Sequence, residues 1–170
     1  KLMSFGFLNQ ENAPAIWRGP MVAKLTNQFF DNVNWGQLDL LIIDLPPGTG
    51  DIHLSLVQSI PLTGAIVIST PQDIALADAR KGVNMFQMEE IDVPVLGIIE
   101  NMSYFIPPDS QDKKYYIFGN SGAKLLAEDL NISLLAEIPI EQSIREAADG
   151  GRPAAMQKNT FTSKIFNKLS

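Results

Sequence analysis

The chain has 170 residues, 45% of them hydrophobic, which is enough for one buried core and too few for two ordinary domains. Its 19 acidic and 13 basic residues give a formal net charge of -6, a field that repels phosphate backbones and argues against a non-specific nucleic-acid binder. No run approaches the roughly 18 apolar residues of a membrane helix, and the absence of cysteine excludes disulfides, thiolate metal ligands and thiol catalysis within these residues.

The opening residues, Lys1 to Phe7, carry no long apolar core followed by a small-residue cleavage site, so the sequence predicts a soluble, cytoplasmic protein. Leu2 to Leu8 is a candidate strand. Leu38 to Leu45 is the first strong one, an apolar run that stops at a turn. A helical pattern follows over Ile52 to Ile60, then a strand over Gly64 to Thr70, a helix over Asp73 to Met88 and a strand over Val93 to Asn101. Tyr104 to Tyr116 is irregular, with Pro107 and Pro108 inside it, and a loop of that length is either functional or a tolerated surface insertion. Helix Ser121 to Leu130, strand Leu134 to Pro139 and helix Ile140 to Ala148 complete the alternation. Thr160 to Ser170 reads as a short helix that packs on the core.

The apolar runs are continuous rather than alternating, as in parallel strands covered on both faces. Strand and helix in regular succession predict an α/β domain, a doubly wound, mostly parallel sheet with helices on both faces. Ligands of such sheets bind beyond the carboxyl ends of the strands, which directs attention to the loops after Leu45, Thr70, Asn101 and Pro139. No G-x-G-x-x-G stands at a strand-to-helix turn, so a dinucleotide oxidoreductase lacks its signature.

The stretch richest in chemistry is Leu40-Leu41-Ile42-Ile43-Asp44-Leu45-Pro46-Pro47-Gly48-Thr49-Gly50-Asp51. A strand here delivers Asp44 to the carboxyl edge, where a carboxylate can hold Mg²⁺ through a water ligand. Four residues on, Gly48 has no side chain to block its backbone N–H from a terminal phosphate. An isolated Asp-x-x-x-Gly would more simply be a strand cap and a tight turn.

The full string DLPPGTGD resembles the switch II signature of the Mrp-type ATPases, the iron–sulfur cluster carriers of the MinD/ParA branch of P-loop proteins. Further blocks match in order: Trp17-Arg18-Gly19-Pro20-Met21, Trp35-Gly36-Gln37-Leu38-Asp39, Ser69-Thr70-Pro71-Gln72, Glu100-Asn101-Met102-Ser103-Tyr104-Phe105 and Ile117-Phe118-Gly119. The resemblance runs from about Met3 to Pro153. It implies that residues 1–170 are one domain, the C-terminal portion of a MinD/Mrp-like ATPase domain. It implies ATP and Mg²⁺ as ligands, Asp44 serving the metal through water and Gly48 the γ-phosphate. Asn101 corresponds to the family's adenine-reading asparagine, whose carboxamide can pair with adenine N6 and N7, and Pro139 to the backbone segment flanking the base. Arg18 is a candidate for the nucleotide-dependent dimer face. The implied protein is a homodimer that hydrolyses ATP and delivers clusters to iron–sulfur apoproteins, with no nucleic-acid partner and no membrane span.

Two features depart from the family. No phosphate loop occurs, and its expected place is upstream of Lys1, so these residues are expected to be inactive without a preceding segment. Members also carry C-P-x-C after N-M-S-Y-F, two thiolates per subunit for a [4Fe–4S] cluster shared across a dimer. Pro107 and Ser110 stand at those positions, and neither is a soft-metal ligand. A MinD/ParA-like positioning or scaffolding ATPase without a cluster is the alternative. Other chemically suggestive residues have simpler expectations. His53, the single histidine, is expected to be structural, Val83, Met85, Phe86 and Met88 to serve core or interface, and Gly119 to Lys124 to be a helix entry with Lys124 in solvent.

Overall fold

The computed structural model describes residues 1–7, 28–45, 48, 50–107, 109–110, 112–157 and 160–170. These fall into two units, Lys1–Leu62 and Thr63–Ser170. The Trp17 to Met21 block with Arg18 lies outside the described residues, as do Leu8, Pro46, Pro47, Thr49 and Pro108.

The second unit holds a parallel sheet of three strands in the order β1 (Ala65–Ser69), β2 (Val95–Glu100) and β3 (Leu134–Glu137). Each strand is an Ile-, Val- or Leu-rich run whose backbone finds ladder partners. Helix α2 (Asp73–Phe86) follows β1, and α3 (Gly122–Asp129) precedes β3, so every connection has the strand–helix–strand form that parallel pairing requires. In α2, Leu76, Ala79 and Val83 recur at helical spacing, and Asp73 in its first turn complements the helix dipole. Ala79 packs with Ile98 of β2 and with Ala123, Leu126 and Ala127 of α3, and Val67, Leu76 and Leu134 close around this core. Ile98 and Ala123 are wholly buried. This is the α/β architecture that the alternation predicts.

Two further helices follow, α4 (Gln142–Asp149) and α5 (Phe161–Leu169), separated by a 3₁₀ turn at Ala154–Met156. Thr160 caps α5 by accepting the Ser163 N–H at 3.0 Å, and the buried Thr162 hydroxyl donates to Glu141 Oε2 at 2.7 Å. That bond ties α5 to the start of α4, and α5 also contacts β3, so the C-terminal segment packs on the core as expected.

In the first unit, α1 (Asp51–Ser59) is the expected helix, with Leu56 and Val57 buried. The strand expected over Leu38–Leu45 is not formed. Among the described residues no ladder reaches this segment, and Leu40 and Ile42 are 74% and 82% exposed. A strand is defined by its neighbours. Without an adjacent backbone, its N–H and C=O groups bond to water and its apolar side chains stay in solvent. Of the strand expected over Leu2 to Leu8, residues 2–7 form none, and Phe5–Phe7 is a 3₁₀ turn. The Lys1 ammonium donates to the carbonyls of Asn34 and Trp35, at 2.8 and 2.5 Å.

Candidate functional site

The carboxyl edge of the sheet is built by register. Ser69 pairs with Glu100 and Glu100 with Glu137, so the last residues of all three strands stand in one row. Beyond that row the chains stay laced together. Asn101 N–H donates to the Ser69 carbonyl at 2.7 Å, Ile138 N–H to Glu100 O at 2.8 Å, Ser103 N–H to Ile138 O at 2.9 Å, and Ile140 N–H to Tyr104 O at 2.7 Å. Asn101 and Pro139 therefore lie on neighbouring chains just past the strand ends, the position where open α/β sheets bind ligands.

Asn101 is half-buried, and its carboxamide oxygen accepts the Met102 N–H at 2.9 Å. That bond occupies one of the two acceptor positions on the oxygen. Met102 has φ of 54°, left-handed backbone that makes a tight turn after the strand. Pro139 is buried, between two residues whose N–H groups bond across to β2 and its continuation. The pair thus sets a carboxamide and a rigid proline ring on neighbouring chains.

Glu100 stands in the Glu100 to Phe105 block, but its chemistry is not legible from that block alone. It is 1% exposed, accepts the Ser103 hydroxyl on Oε1, and accepts the backbone N–H of Ala123, in the first turn of α3, on Oε2 at 2.7 Å. Ser103 is itself wholly buried. A carboxylate out of water costs several kcal/mol unless it is bonded. Here two donors and the positive end of α3 meet it. Its signal was present in the sequence as a charged residue ending the apolar run Gly97-Ile98-Ile99.

The Tyr104–Tyr116 segment is more ordered than an irregular loop. Phe105 and Tyr115 exchange both backbone bonds at 2.8 Å in an antiparallel bridge, and Phe105 also bridges Ile140 in parallel. Tyr104 is buried, with Tyr116 edge-on at 6.4 Å and the Lys114 ammonium 3.9 Å from its ring centroid. Burial first, then the charges of Glu137 and Glu141 and the neighbouring Tyr116, push its phenol above the ordinary value of 10.0. Pro107 and Ser110 line a shallow recess with Phe105, Lys113 and Tyr115. No group of three or more His, Cys, Asp or Glu side chains is placed to hold a metal ion among the described residues.

Asp44 and Gly48 belong to the first unit, and both are exposed. Gly48 has φ of +102°, backbone that L side chains rarely adopt, with no atom within 4 Å of where a Cβ would stand. Of the other residues weighed from sequence, His53 is buried on α1, Val83, Met85 and Phe86 are buried in α2, and Lys124 is exposed on α3. No helix among the described residues is long and apolar enough to cross a membrane.

All of residues 1–170 match the family model described as ParA: NUBPL iron-transfer P-loop NTPase. The iron-sulfur cluster carrier protein of Synechocystis sp. is 49% identical over 171 residues, covering 100% of this chain and 48% of that protein. The iron-sulfur cluster transfer protein NUBPL of Dictyostelium discoideum is 51% identical, covering 100% of this chain and 52% of its own length. The chain thus spans about half the length of these curated relatives. Among solved structures, a nucleotide-binding protein from Archaeoglobus fulgidus in complex with ADP superimposes with a TM-score of 0.68 at 39% identity, over 78% of this chain and 53% of that one. The cell division ATPase MinD of Pyrococcus furiosus shares the fold, with a TM-score of 0.59 at 22% identity over 89% of this chain and 56% of its own.

Proposed function

The chain belongs to the NUBPL iron-transfer P-loop NTPase family, and on that premise we propose that residues 1–170 are the C-terminal portion of one ATPase domain that binds and hydrolyses ATP as a cytoplasmic homodimer. The observation that carries this reading is the meeting of Asn101 and Pro139 at the carboxyl ends of adjacent parallel strands, in a chain similar to a protein solved with ADP. Asn101 reads adenine, since a carboxamide offers both a donor and an acceptor. Pro139 walls the base.

The DLPPGTGD segment serves as switch II. Mg²⁺ bound with ATP would neutralise charge on the transferring phosphoryl group. Asp44, an exposed carboxylate, would hold the water shell of that ion, and Gly48 would turn its backbone N–H toward the terminal phosphate. Cargo is an iron–sulfur cluster for apoprotein partners, as the names of the relatives suggest. A [4Fe–4S] cluster held by four thiolates does not fit these residues, because Pro107 and Ser110 supply no sulfur and the sequence has no cysteine. That absence supports a second reading, a MinD/ParA-like positioning or scaffolding ATPase that carries no cluster.

The tests are direct. Residues 1–170 alone should not turn over ATP with Mg²⁺, and the full-length protein should. Within it, Asp44→Asn should lower the hydrolysis rate by about 100-fold or more while ATP affinity changes far less, because the neutral amide cannot supply the charge the metal requires. Gly48→Ala should block hydrolysis similarly. Unchanged turnover in both variants would remove the switch II assignment. Anaerobic reconstitution of residues 1–170 with iron and sulfide should leave no stoichiometric cluster by iron content and visible absorbance, and a bound cluster there would show that ligands other than thiolates suffice.

A further inference from the structure

A buried carboxylate is an expensive way to fill a strand end. Apolar residues of similar volume often serve a core as well or better, so an ionisable group in that place points to a demand other than stability. Glu100 is 1% exposed, and its two oxygens take different donors: Oε1 takes the Ser103 hydroxyl three residues ahead and Oε2 the Ala123 N–H at 2.7 Å. The first bond spans one short segment only. Glu100, Asn101, Met102 and Ser103 form the turn off β2, and the carboxylate clasps its first residue to its last.

The backbone of this turn is pinned at the same two ends. Glu100 O accepts from Ile138 N–H at 2.8 Å, and Ser103 N–H donates to Ile138 O at 2.9 Å. Between these anchors Met102 holds a left-handed conformation with φ of 54°, and Asn101 presents its carboxamide. Left-handed backbone at a methionine persists only where its surroundings over-determine it. The Glu100–Ser103 clasp and the two backbone bonds to Ile138 bracket that residue on both sides.

We propose that Glu100, acting through Ser103, is a positioning residue that fixes the Asn101 carboxamide for purine recognition and so sets the preference for adenine over guanine. The inference rests on the adenine reading of Asn101 given above. Glu100 touches no nucleotide. Its effect is confined to the orientation of a neighbour, so its loss weakens discrimination between bases and leaves the hold on phosphates intact.

The experiment measures affinities of the full-length protein for ATP, GTP and inorganic triphosphate in the unaltered form and in Glu100→Gln, Ser103→Ala and Asn101→Ala. Asn101→Ala is expected to abolish the preference for ATP over GTP. Ser103→Ala, which leaves the Glu100 bond to α3 in place, and Glu100→Gln are each expected to lower that preference about tenfold, the equivalent of one hydrogen bond, with triphosphate affinity unchanged. A merely structural role for Glu100 predicts instead a parallel loss for all three ligands, or no change in Ser103→Ala, and either result overturns the proposal. If Glu100→Gln does not fold, Ser103→Ala decides alone. A shift in Asn101→Ala with an unaltered ratio in the other two refutes the clasp while leaving the adenine reading intact. An unaltered ratio in Asn101→Ala refutes that reading and the clasp with it.

Discussion

Leu40-Leu41-Ile42-Ile43 and Leu96-Gly97-Ile98-Ile99 are nearly the same sentence in sequence, an apolar run that ends on an acidic residue, yet they fold differently. The second is the centre of a sheet, with β1 on one side, β3 on the other and Ile98 wholly buried. The first has no ladder among the described residues, and Ile42 is 82% exposed. Asp44 and Glu100, the acids that end the two runs, differ in the same way: one faces solvent and the other is enclosed by donors. Apolar composition makes a segment able to form a strand. Whether it does so depends on neighbouring backbone and on helices that remove its side chains from water.

The sharpest way to break this contrast uses the glycines of the two regions. A Cβ at Gly97 would stand 2.4 Å from the Ser133 carbonyl oxygen and 2.7 Å from Leu135 Cγ, at the junction of β2 and β3. The nearest obstacle is backbone, which cannot swing aside. Gly97→Ala should destabilise the protein by more than about 3 kcal/mol or prevent folding. A Cβ at Gly48 would meet no non-neighbouring atom within 4 Å among the described residues, so alanine there meets the conformational cost of φ at +102°, roughly 1–3 kcal/mol. Urea titrations followed by circular dichroism would compare them, and equal losses at the two sites would contradict the difference in packing.

A smaller effect separates the two isoleucines. Ile98→Ala removes three carbons from a closed core and should cost about 2–5 kcal/mol. Ile42→Ala, in the same 170 residues, should stay within about 0.5 kcal/mol because solvent already covers the side chain. A loss at Ile42 comparable to that at Ile98 would mean that the first run is buried in solution.

The pairs Asn101 with Pro139 and Asp44 with Gly48 show how far sequence reaches. Both stand in blocks that end apolar runs, and the strand–helix alternation matches the edge formed by Ser69, Glu100 and Glu137, whereas the loop after Leu45 adjoins no ladder among the described residues. Burial was not legible in the same way, because Leu38–Leu45 and Val95–Glu100 present the same local pattern and differ only in long-range partners. The role of Glu100 is illegible in sequence for a related reason. Its donors are a hydroxyl three residues on and an amide 23 residues away, and no periodicity announces such a pair. The segment from Tyr104 to Tyr116 looks irregular in sequence because the Phe105–Tyr115 bridge needs only one residue on each side, too little for alternation to show.

An effect confined to alkaline pH lies in that loop, at Tyr104. Its phenol is raised above the ordinary value by burial and by the negative charges of Glu137 and Glu141, with Tyr116 adding to them, while the Lys114 ammonium sits over the ring. A raised pKa means that the native state releases this proton later than the unfolded chain does. The residue therefore costs nothing below the unfolded value, and stability falls as pH climbs from there toward the native one. Tyr104→Phe removes the proton altogether, so its unfolding free energy should decline less steeply above about pH 10, by at most about 1.4 kcal/mol per pH unit for a single proton. The two proteins differ at residue 104 alone, so the difference between the two curves reports on it. Unfolding free energies from urea titrations between pH 8 and pH 11 would reveal it. Parallel curves across that range would mean that Tyr104 ionises as readily in the folded protein as in the unfolded chain, and that this side of the carboxyl edge is far wetter than the closely packed strand ends beside it.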